Sequence, residues 1–96
     1  MKNVNLFTER LDYLTRISAK ISRATITKKD AEALEKLRDK LPEEVKYMQF
    51  REYVLLRDLA KYLIIEARET LETIEAVKQI EREILQARRE EKRRTA

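Results

Sequence analysis

The 96-residue sequence contains no glycine, no cysteine and no histidine, and its only proline is Pro42. Glycine supplies the positive backbone φ angles used by tight hairpin turns, phosphate-cradling loops and many helix ends. Its absence argues against strand-rich folds and against nucleotide-binding loops. Because so few helix-breaking residues remain, the sequence predicts an all-α fold of a few long helices joined by short turns.

The missing cysteine and histidine also restrict the chemistry open to this chain. No disulfide framework can form, and a general base near neutral pH would have to be a perturbed carboxylate or lysine. Glu66, Glu69 and Glu72 align along one helix edge, but carboxylates at this spacing are typical of surface ion pairs rather than of a metal site. We therefore expect a protein that is not an enzyme and that has no cofactor, no metal and no small-molecule substrate.

Long apolar runs are also missing. No uncharged apolar segment approaches the ~18 residues that a membrane span requires, and the start, Met1 to Asn5, lacks the apolar core of a signal peptide. We therefore expect a cytoplasmic protein with no membrane partner. Charged residues make up 42% of the chain, and Lys, Arg and Glu dominate over Asn, Gln and Met, a balance that is typical of hyperthermophiles.

Apolar residues at helical spacing predict a hairpin of two helices in the first half of the chain. The first helix covers about 5–24, and its buried face consists of Leu6, Phe7, Leu11, Tyr13, Leu14, Ile17, Ile21 and Ala24. Thr27 and Asp30 have the spacing of a capping box, which predicts that a second helix begins at about residue 28. Pro42 disfavours helical geometry at the residue before it, so we expect this helix to end at Leu41.

The rest of the chain, about 42–93, is predicted to form one long helix. Proline suits a first helical position, and Glu43 and Glu44 complement the positive end of the helix dipole. Such a helix would be roughly 75 to 80 Å long at about 1.5 Å per residue, so the hairpin cannot cover it all. The expected architecture is a single domain, 1–96, with a protruding basic end. A break near Thr70 or Thr73, which would create a four-helix arrangement, stays open.

The first half of the long helix, 45–65, has apolar residues in every direction around its axis. A helix of this kind is normally buried on more than one side, and exposed apolar patches mark interaction sites. We expect a protein partner or a second copy to bind Tyr47, Phe50, Tyr53, Leu56, Tyr62 and Leu63. The alternative is a monomer whose tyrosines and alanines are half exposed.

The second half carries a narrower apolar stripe, with steps of three and four residues: Ala67, Leu71, Ile74, Val77, Ile80, Ile84 and Ala87. This is the pattern of a two-helix seam. The stripe predicts burial against the protein's own hairpin, a second copy or a foreign subunit.

Positive charge is concentrated at two places, the expected hairpin tip and the C-terminal end. Clusters of this kind suit the phosphate backbone of a nucleic acid, and the candidate residues are Arg16, Lys20, Arg23, Lys28, Lys29, Arg88, Arg89, Lys92, Arg93 and Arg94. No base-reading motif accompanies them, so the expected contacts are to backbone and shape. The alternative is that the cations only keep the protein in solution.

The order of residues in the long helix resembles the helical domain of GINS replication subunits, and the matching positions are Leu59, Leu63, Ala67, Ile84, Arg88 and Lys92. The chain is also similar in size, charge and lack of catalytic residues to small helical subunits of CRISPR effector complexes. Both resemblances imply an accessory subunit of a nucleic-acid-processing assembly, the first in DNA replication. The alternative hypothesis is a homo-oligomeric helical protein, either DNA-binding or a structural coiled coil.

Overall fold

A computed structural model describes residues 5–95 of the protein, and the side chains of residues 5–94. Three α-helices follow one another: α1, Leu6–Ser22; α2, Lys28–Glu44; and α3, Phe50–Thr95. A short 3-10 helix, Val45–Tyr47, connects α2 to α3, and the described residues contain no strand. The predicted class, two short helices packed on one long C-terminal helix, is confirmed.

Helix α1 is capped at both ends without glycine. At its start the Asn5 side chain accepts a hydrogen bond from the backbone N–H of Thr8, 3.3 Å away. At its end Ala24 adopts a φ of 57°, while the N–H of Thr25 bonds to the carbonyl of Lys20 and that of Ala24 to the carbonyl of Ile21. These two bonds define a Schellman motif, in which alanine occupies the position that glycine usually holds.

Helix α2 begins with the predicted capping box. The Thr27 hydroxyl accepts from the N–H of Asp30 at 3.2 Å, and the Asp30 carboxylate accepts from the N–H of Thr27 at 3.1 Å. Two N–H groups that lack intrahelical partners are thereby satisfied.

The predicted boundary at Pro42 is wrong. Helix α2 runs through Pro42 to Glu44, and the chain reverses only between Val45 and Gln49. A proline near the end of a helix removes one N–H but leaves most of the hydrogen-bonding ladder intact. The extra turn keeps Leu41 fully buried and places Glu44 beside Arg10 of α1, and these contacts offset the local preference against helix.

Helix α3 therefore begins at Phe50 rather than at Pro42. The N–H of Tyr53 bonds to the carbonyl of Gln49, and the Glu52 carboxylate accepts from the N–H of Gln49 at 2.8 Å. The helix continues for 46 residues, so the alternative break near Thr70 or Thr73 is not present. The Thr73 hydroxyl donates to the carbonyl of Glu69 within the helix, so it does not cap a new one.

The core lies between the hairpin and the first half of α3. Helices α1 and α2 each pack more closely on α3 than on each other. The buried side chains are Leu14, Ile17, Ile26, Leu34, Leu41, Leu56, Ala60, Leu63, Ile64 and Ala67. Every described residue from 75 to 94 is exposed, and beyond Lys78, which still lines a notch at the hairpin tip, roughly the last 25 Å of α3 extends past the three-helix domain.

Candidate interaction surfaces

Large exposed apolar side chains are concentrated on α3 and on the turn that precedes it. They are Tyr47, Phe50, Leu55, Tyr62, Ile65, Val77, Ile80, Ile84 and Leu85, each about half exposed or more. Single exposed apolar residues are ordinary on protein surfaces, whereas contiguous ones mark sites of association. The grouping of these residues along α3 therefore decides which surfaces are candidates.

The first group, the outer patch, consists of Leu55, Tyr62 and Ile65. Steps of seven and three residues place these side chains on one face of α3. They are 51%, 57% and 57% exposed, whereas the core residues Leu56 and Leu63 lie on the other side of the helix. The outer patch thus faces away from the hairpin.

The structure corrects the predicted partner-binding set. Leu56 is 0% exposed and Leu63 3% exposed, so both belong to the core and neither is available to a partner. Tyr53 is half-buried against the core, with the Arg57 guanidinium 5.8 Å from its ring centre. Tyr47, Phe50 and Tyr62 are exposed, as a docking role requires. Another two residues suited to docking, Leu55 and Ile65, were not in the predicted set.

The sequence signal that could have identified Leu55 and Ile65 is their spacing from Tyr62, seven residues before it and three residues after it. The apolar residues around them, such as Leu56 and Leu63, occupy the opposite face and compete for the same core. Sequence alone did not show which of the two faces the hairpin covers.

The second group, the distal stripe, consists of Val77, Ile80 and Ile84, whereas Leu85 lies on a different side of the helix. It is the end of the predicted seam from Ala67 to Ala87, which the structure divides in two. Ala67 is buried and Leu71 and Ile74 pack against the core, so these residues are covered by the protein's own hairpin. The distal stripe lies beyond the hairpin and is about half exposed throughout.

Polar residues separate the outer patch from the distal stripe. Glu66, Glu69 and Thr73 continue the same face of α3 between them. The neighbouring Glu66 carboxylate raises the pKa of the Tyr62 hydroxyl. Two charged groups in the middle of this face make it unsuitable as one continuous apolar seam.

Ion pairs connect α1 to α2 and α2 to α3. The Arg10 guanidinium donates to both carboxylate oxygens of Glu44, with Nε 2.9 Å from Oε1, and this bond raises the pKa of Arg10. Because Glu44 lies at the negative end of the α2 dipole, Arg10 compensates an otherwise unfavourable position. Arg68 of α3 donates to Glu35 of α2 at 2.7 Å.

An open groove of about 860 Å³ lies between α1 and α2. Tyr13, Ala33 and Leu37 provide its apolar lining, and acidic and basic side chains alternate along its edges, including Asp12, Arg16, Lys36 and Asp39. The burial of Tyr13 raises the pKa of its hydroxyl. This mixture of charges selects neither an acidic nor a basic ligand.

The basic residues predicted to bind nucleic acid lie in two separate places. At the hairpin tip Arg23, Lys28 and Lys29 are exposed. Lys20 lies 3.1 Å from Asp30, where its charge is already compensated, and Arg16 lines the groove between α1 and α2. Desolvation acts to raise the pKa of Asp30, but hydrogen bonds from Lys20 and Thr27 outweigh it and lower that pKa.

The C-terminal cations are far from the hairpin tip. A notch of about 580 Å³ joins the tip to α3, and its lining includes Lys28, Glu72, Glu75 and Lys78. Arg88 lies ten residues beyond Lys78, about 15 Å further along the helix axis. Arg88, Arg89, Lys92 and Arg93 then share one exposed face at the end of α3. The structure therefore does not join the two sets of cations into one surface.

Within residues 5–95 no group of carboxylates is arranged to hold a metal ion, and no helix in that range is long and apolar enough to cross a membrane. No protein-family model, curated protein or solved structure matches this chain. The interpretation of its function therefore depends on the surfaces described above.

Proposed function

We propose that this protein is a non-enzymatic accessory subunit that joins a larger assembly through the outer patch. The observation that carries the proposal is the exposure of Leu55, Tyr62 and Ile65 on one face of α3, at the level of the core. The hairpin occupies the other face, so no part of the described chain covers these side chains. Aromatic and large aliphatic residues on a rigid helix are typical anchors of protein interfaces.

The residues around the outer patch indicate the chemistry of its partner. Asp58, Glu66 and Glu69 flank the patch on the same side of α3 and outnumber the neighbouring cations Arg51 and Lys61. An apolar groove with lysine or arginine at its rim would therefore complement this face in shape and in charge. The partner expected from this pattern is a protein with such a groove.

The test is quantitative affinity capture of partners from the protein's own cells. Leu55→Lys and Tyr62→Lys place charge in the middle of the outer patch and should each reduce capture of the specific partner at least tenfold. Leu85→Lys is the matched control, since it makes the same leucine-to-lysine change at an exposed position of the same helix, outside the patch. Equal capture of the partner by the unmodified protein and by all three variants would refute the proposal.

A second candidate function is contact with the phosphate backbone of a nucleic acid. The observation that favours it is the row of cations Arg88, Arg89, Lys92 and Arg93 on one face at the end of a helix that extends away from the domain. Arginine and lysine side chains contact phosphates without reading bases, and no base-reading motif accompanies these four. This role is compatible with an accessory subunit of a nucleic-acid-processing assembly.

Fluorescence anisotropy with a labelled DNA duplex, measured at several salt concentrations, tests this role. A substitution that removes one phosphate-binding cation should reduce the slope of log affinity against log salt by about 0.9. Arg89→Glu with Arg93→Glu should weaken binding strongly, whereas Arg23→Glu with Lys29→Glu reports on the hairpin tip alone. If the unmodified protein does not bind the duplex at low salt, the role is excluded.

A further inference from the structure

The distal stripe lies on a stretch of helix that contributes no residue to the described core. All described side chains from 75 to 94 are exposed, and Val77, Ile80 and Ile84 are between 47% and 54% exposed. Most helical stability in proteins comes from the packing of an apolar face. Burial of the distal stripe against a binding partner would therefore stabilise this part of α3.

We propose that the distal stripe binds the distal stripe of a second copy, with the two α3 helices antiparallel. Val77, Ile80 and Ile84 have the spacing of three and four residues that forms a two-helix seam. In an antiparallel pair centred near Arg82, Ile80 of each copy faces Ile84 of the other. Val77 then faces Ala87, so every central layer of the seam is apolar.

The charge along α3 favours this orientation. Residues 69–83 contain five glutamates and two cations, whereas residues 88–94 contain five cations and two glutamates. Packed helices lie about 8–10 Å apart, which is within one Debye length at about 0.1 M salt. Antiparallel packing about Arg82 places the first half of the acidic stretch, residues 69–76, beside the basic stretch of the other copy. Parallel packing in register would place like charges together along both stretches.

The residues at the edge of the stripe agree with the same orientation. Glu81 and Arg88 are seven residues apart and lie on the same side of Ile84. Side chains on a helix lean toward its N-terminus, so in an antiparallel pair Glu81 of one copy and Arg88 of the other lean toward each other. The two-fold symmetry of the pair produces this contact twice.

The first test is the solution mass of the full chain, measured by light scattering over a range of concentrations. The proposal predicts a mean mass that rises with concentration toward twice the 11.5 kDa of one chain. Ile80→Asp should weaken the dimer at least about a hundredfold, because each dimer contains the buried charge twice. A chain that stays monomeric up to about 100 µM would overturn the proposal.

Gln86→Asp is the matched control, because it introduces the same residue on the side of α3 away from the stripe. It should leave the dimer intact, and circular dichroism should show an equally folded three-helix domain for both variants. If Ile80→Asp stays as dimeric as Gln86→Asp, the seam lies elsewhere and the proposal is wrong.

The orientation is tested with introduced cysteines, since the natural chain has none. A disulfide needs Cα atoms about 4.4–6.8 Å apart. In the antiparallel pair Ala87→Cys faces position 77 of the other copy and lies about 15 Å along the axis from its own counterpart. On oxidation, a mixture of Ala87→Cys and Val77→Cys chains should therefore cross-link only between the two variants. Cross-linking of Ala87→Cys with itself would demonstrate a parallel pair, and a dimer with no cross-link would exclude this register; either result overturns the proposal.

This inference is independent of the outer patch. In the antiparallel register the last described residues of one copy reach about residue 70 of the other, so Leu55, Tyr62 and Ile65 remain uncovered. Loss of the dimer with intact partner capture, or the reverse, therefore separates the two proposals.

Discussion

Ala24 shows how a helix can end without glycine. Its φ of 57° lies in the left-handed region, which costs a residue with a Cβ atom roughly 1–2 kcal/mol. The two hydrogen bonds of the Schellman motif and the burial of Ile26 just beyond it hold Ala24 in that conformation. The absence of glycine from the sequence therefore did not exclude a glycine-type helix end.

Ala24→Gly is expected to stabilise the protein. Glycine relieves the strain at φ 57°. The free energy gained in this way exceeds the cost of the additional backbone entropy that glycine loses on folding, so the free energy of unfolding should rise by about 0.5–1 kcal/mol. Urea unfolding checks this as a rise in the midpoint at unchanged m-value. Ala33→Gly, in the interior of α2, is the matched control and should cost about 1 kcal/mol. An Ala24→Gly protein that is less stable than the unmodified protein would show that Ala24 is not strained.

Asp30→Asn is expected to reduce stability in a pH-dependent manner. Because the folded state lowers the pKa of Asp30, its carboxylate stabilises the protein at pH values above the ordinary Asp pKa. That contribution is lost as pH falls through the lowered pKa. The variant should be about 1 kcal/mol less stable near pH 7, and the difference should shrink toward pH 2.

Parallel urea titrations between pH 7 and about pH 2 measure this difference. Asp39→Asn is the control, because Asp39 is exposed and pairs with the adjacent Arg38 at the surface, where ion pairs contribute little. A deficit of the Asp30→Asn protein that stayed constant with pH would show that the carboxylate charge does not carry the effect.

At the scale of elements, α3 combines two kinds of helix. From Phe50 to Ile74 one side packs on the hairpin, and this half depends on tertiary contacts. From Glu75 onward the helix depends on its own hydrogen bonds, on surface pairs such as Arg82 with Glu75 at 3.4 Å, and on any second chain. The unbroken helix thus connects a packed domain to an exposed arm.

Removal of residues 79–96 is expected to leave the three-helix domain folded. The described part of this segment contains no core residue, so at protein concentrations low enough to keep the chain monomeric the melting temperature should change by less than about 5 °C. Thermal denaturation followed by circular dichroism checks this. Loss of cooperative unfolding on truncation would show that the arm contributes to the core.

At the scale of the whole molecule, the orientation of α3 about its own axis decides which apolar residues form the core and which form the outer patch. Leu55 and Leu56 are adjacent in sequence, yet they are 51% and 0% exposed. The same orientation leaves the distal stripe beyond the reach of the hairpin.

Substitution of these neighbours tests the orientation directly. Leu56→Ala should cost about 2–5 kcal/mol, because it leaves a cavity in the core. Leu55→Ala, the matched exposed change, should alter the free energy of unfolding by less than about 0.5 kcal/mol. Urea unfolding of the two variants separates these values. Comparable costs would mean that the packed face of α3 is assigned incorrectly.

The sequence by itself determined the helical class and the capping box at Thr27, and it favoured, without deciding, an unbroken last helix past Thr70. Each of these follows from local chemistry: the absence of glycine, a hydroxyl and a carboxylate three residues apart, and a run of good helix formers. The end of α2 did not follow, because the contacts of Leu41 and Glu44 with other helices outweigh the local preference of Pro42.

Only the tertiary structure decided which surfaces remain for partners. Leu56 and Leu63 fit a docking surface in the sequence as well as Leu55 and Tyr62 do, since apolar residues surround that part of α3. The hairpin can cover only one side of the helix and only part of its length. The side it covers became the core, and the outer patch and the distal stripe are what it leaves exposed.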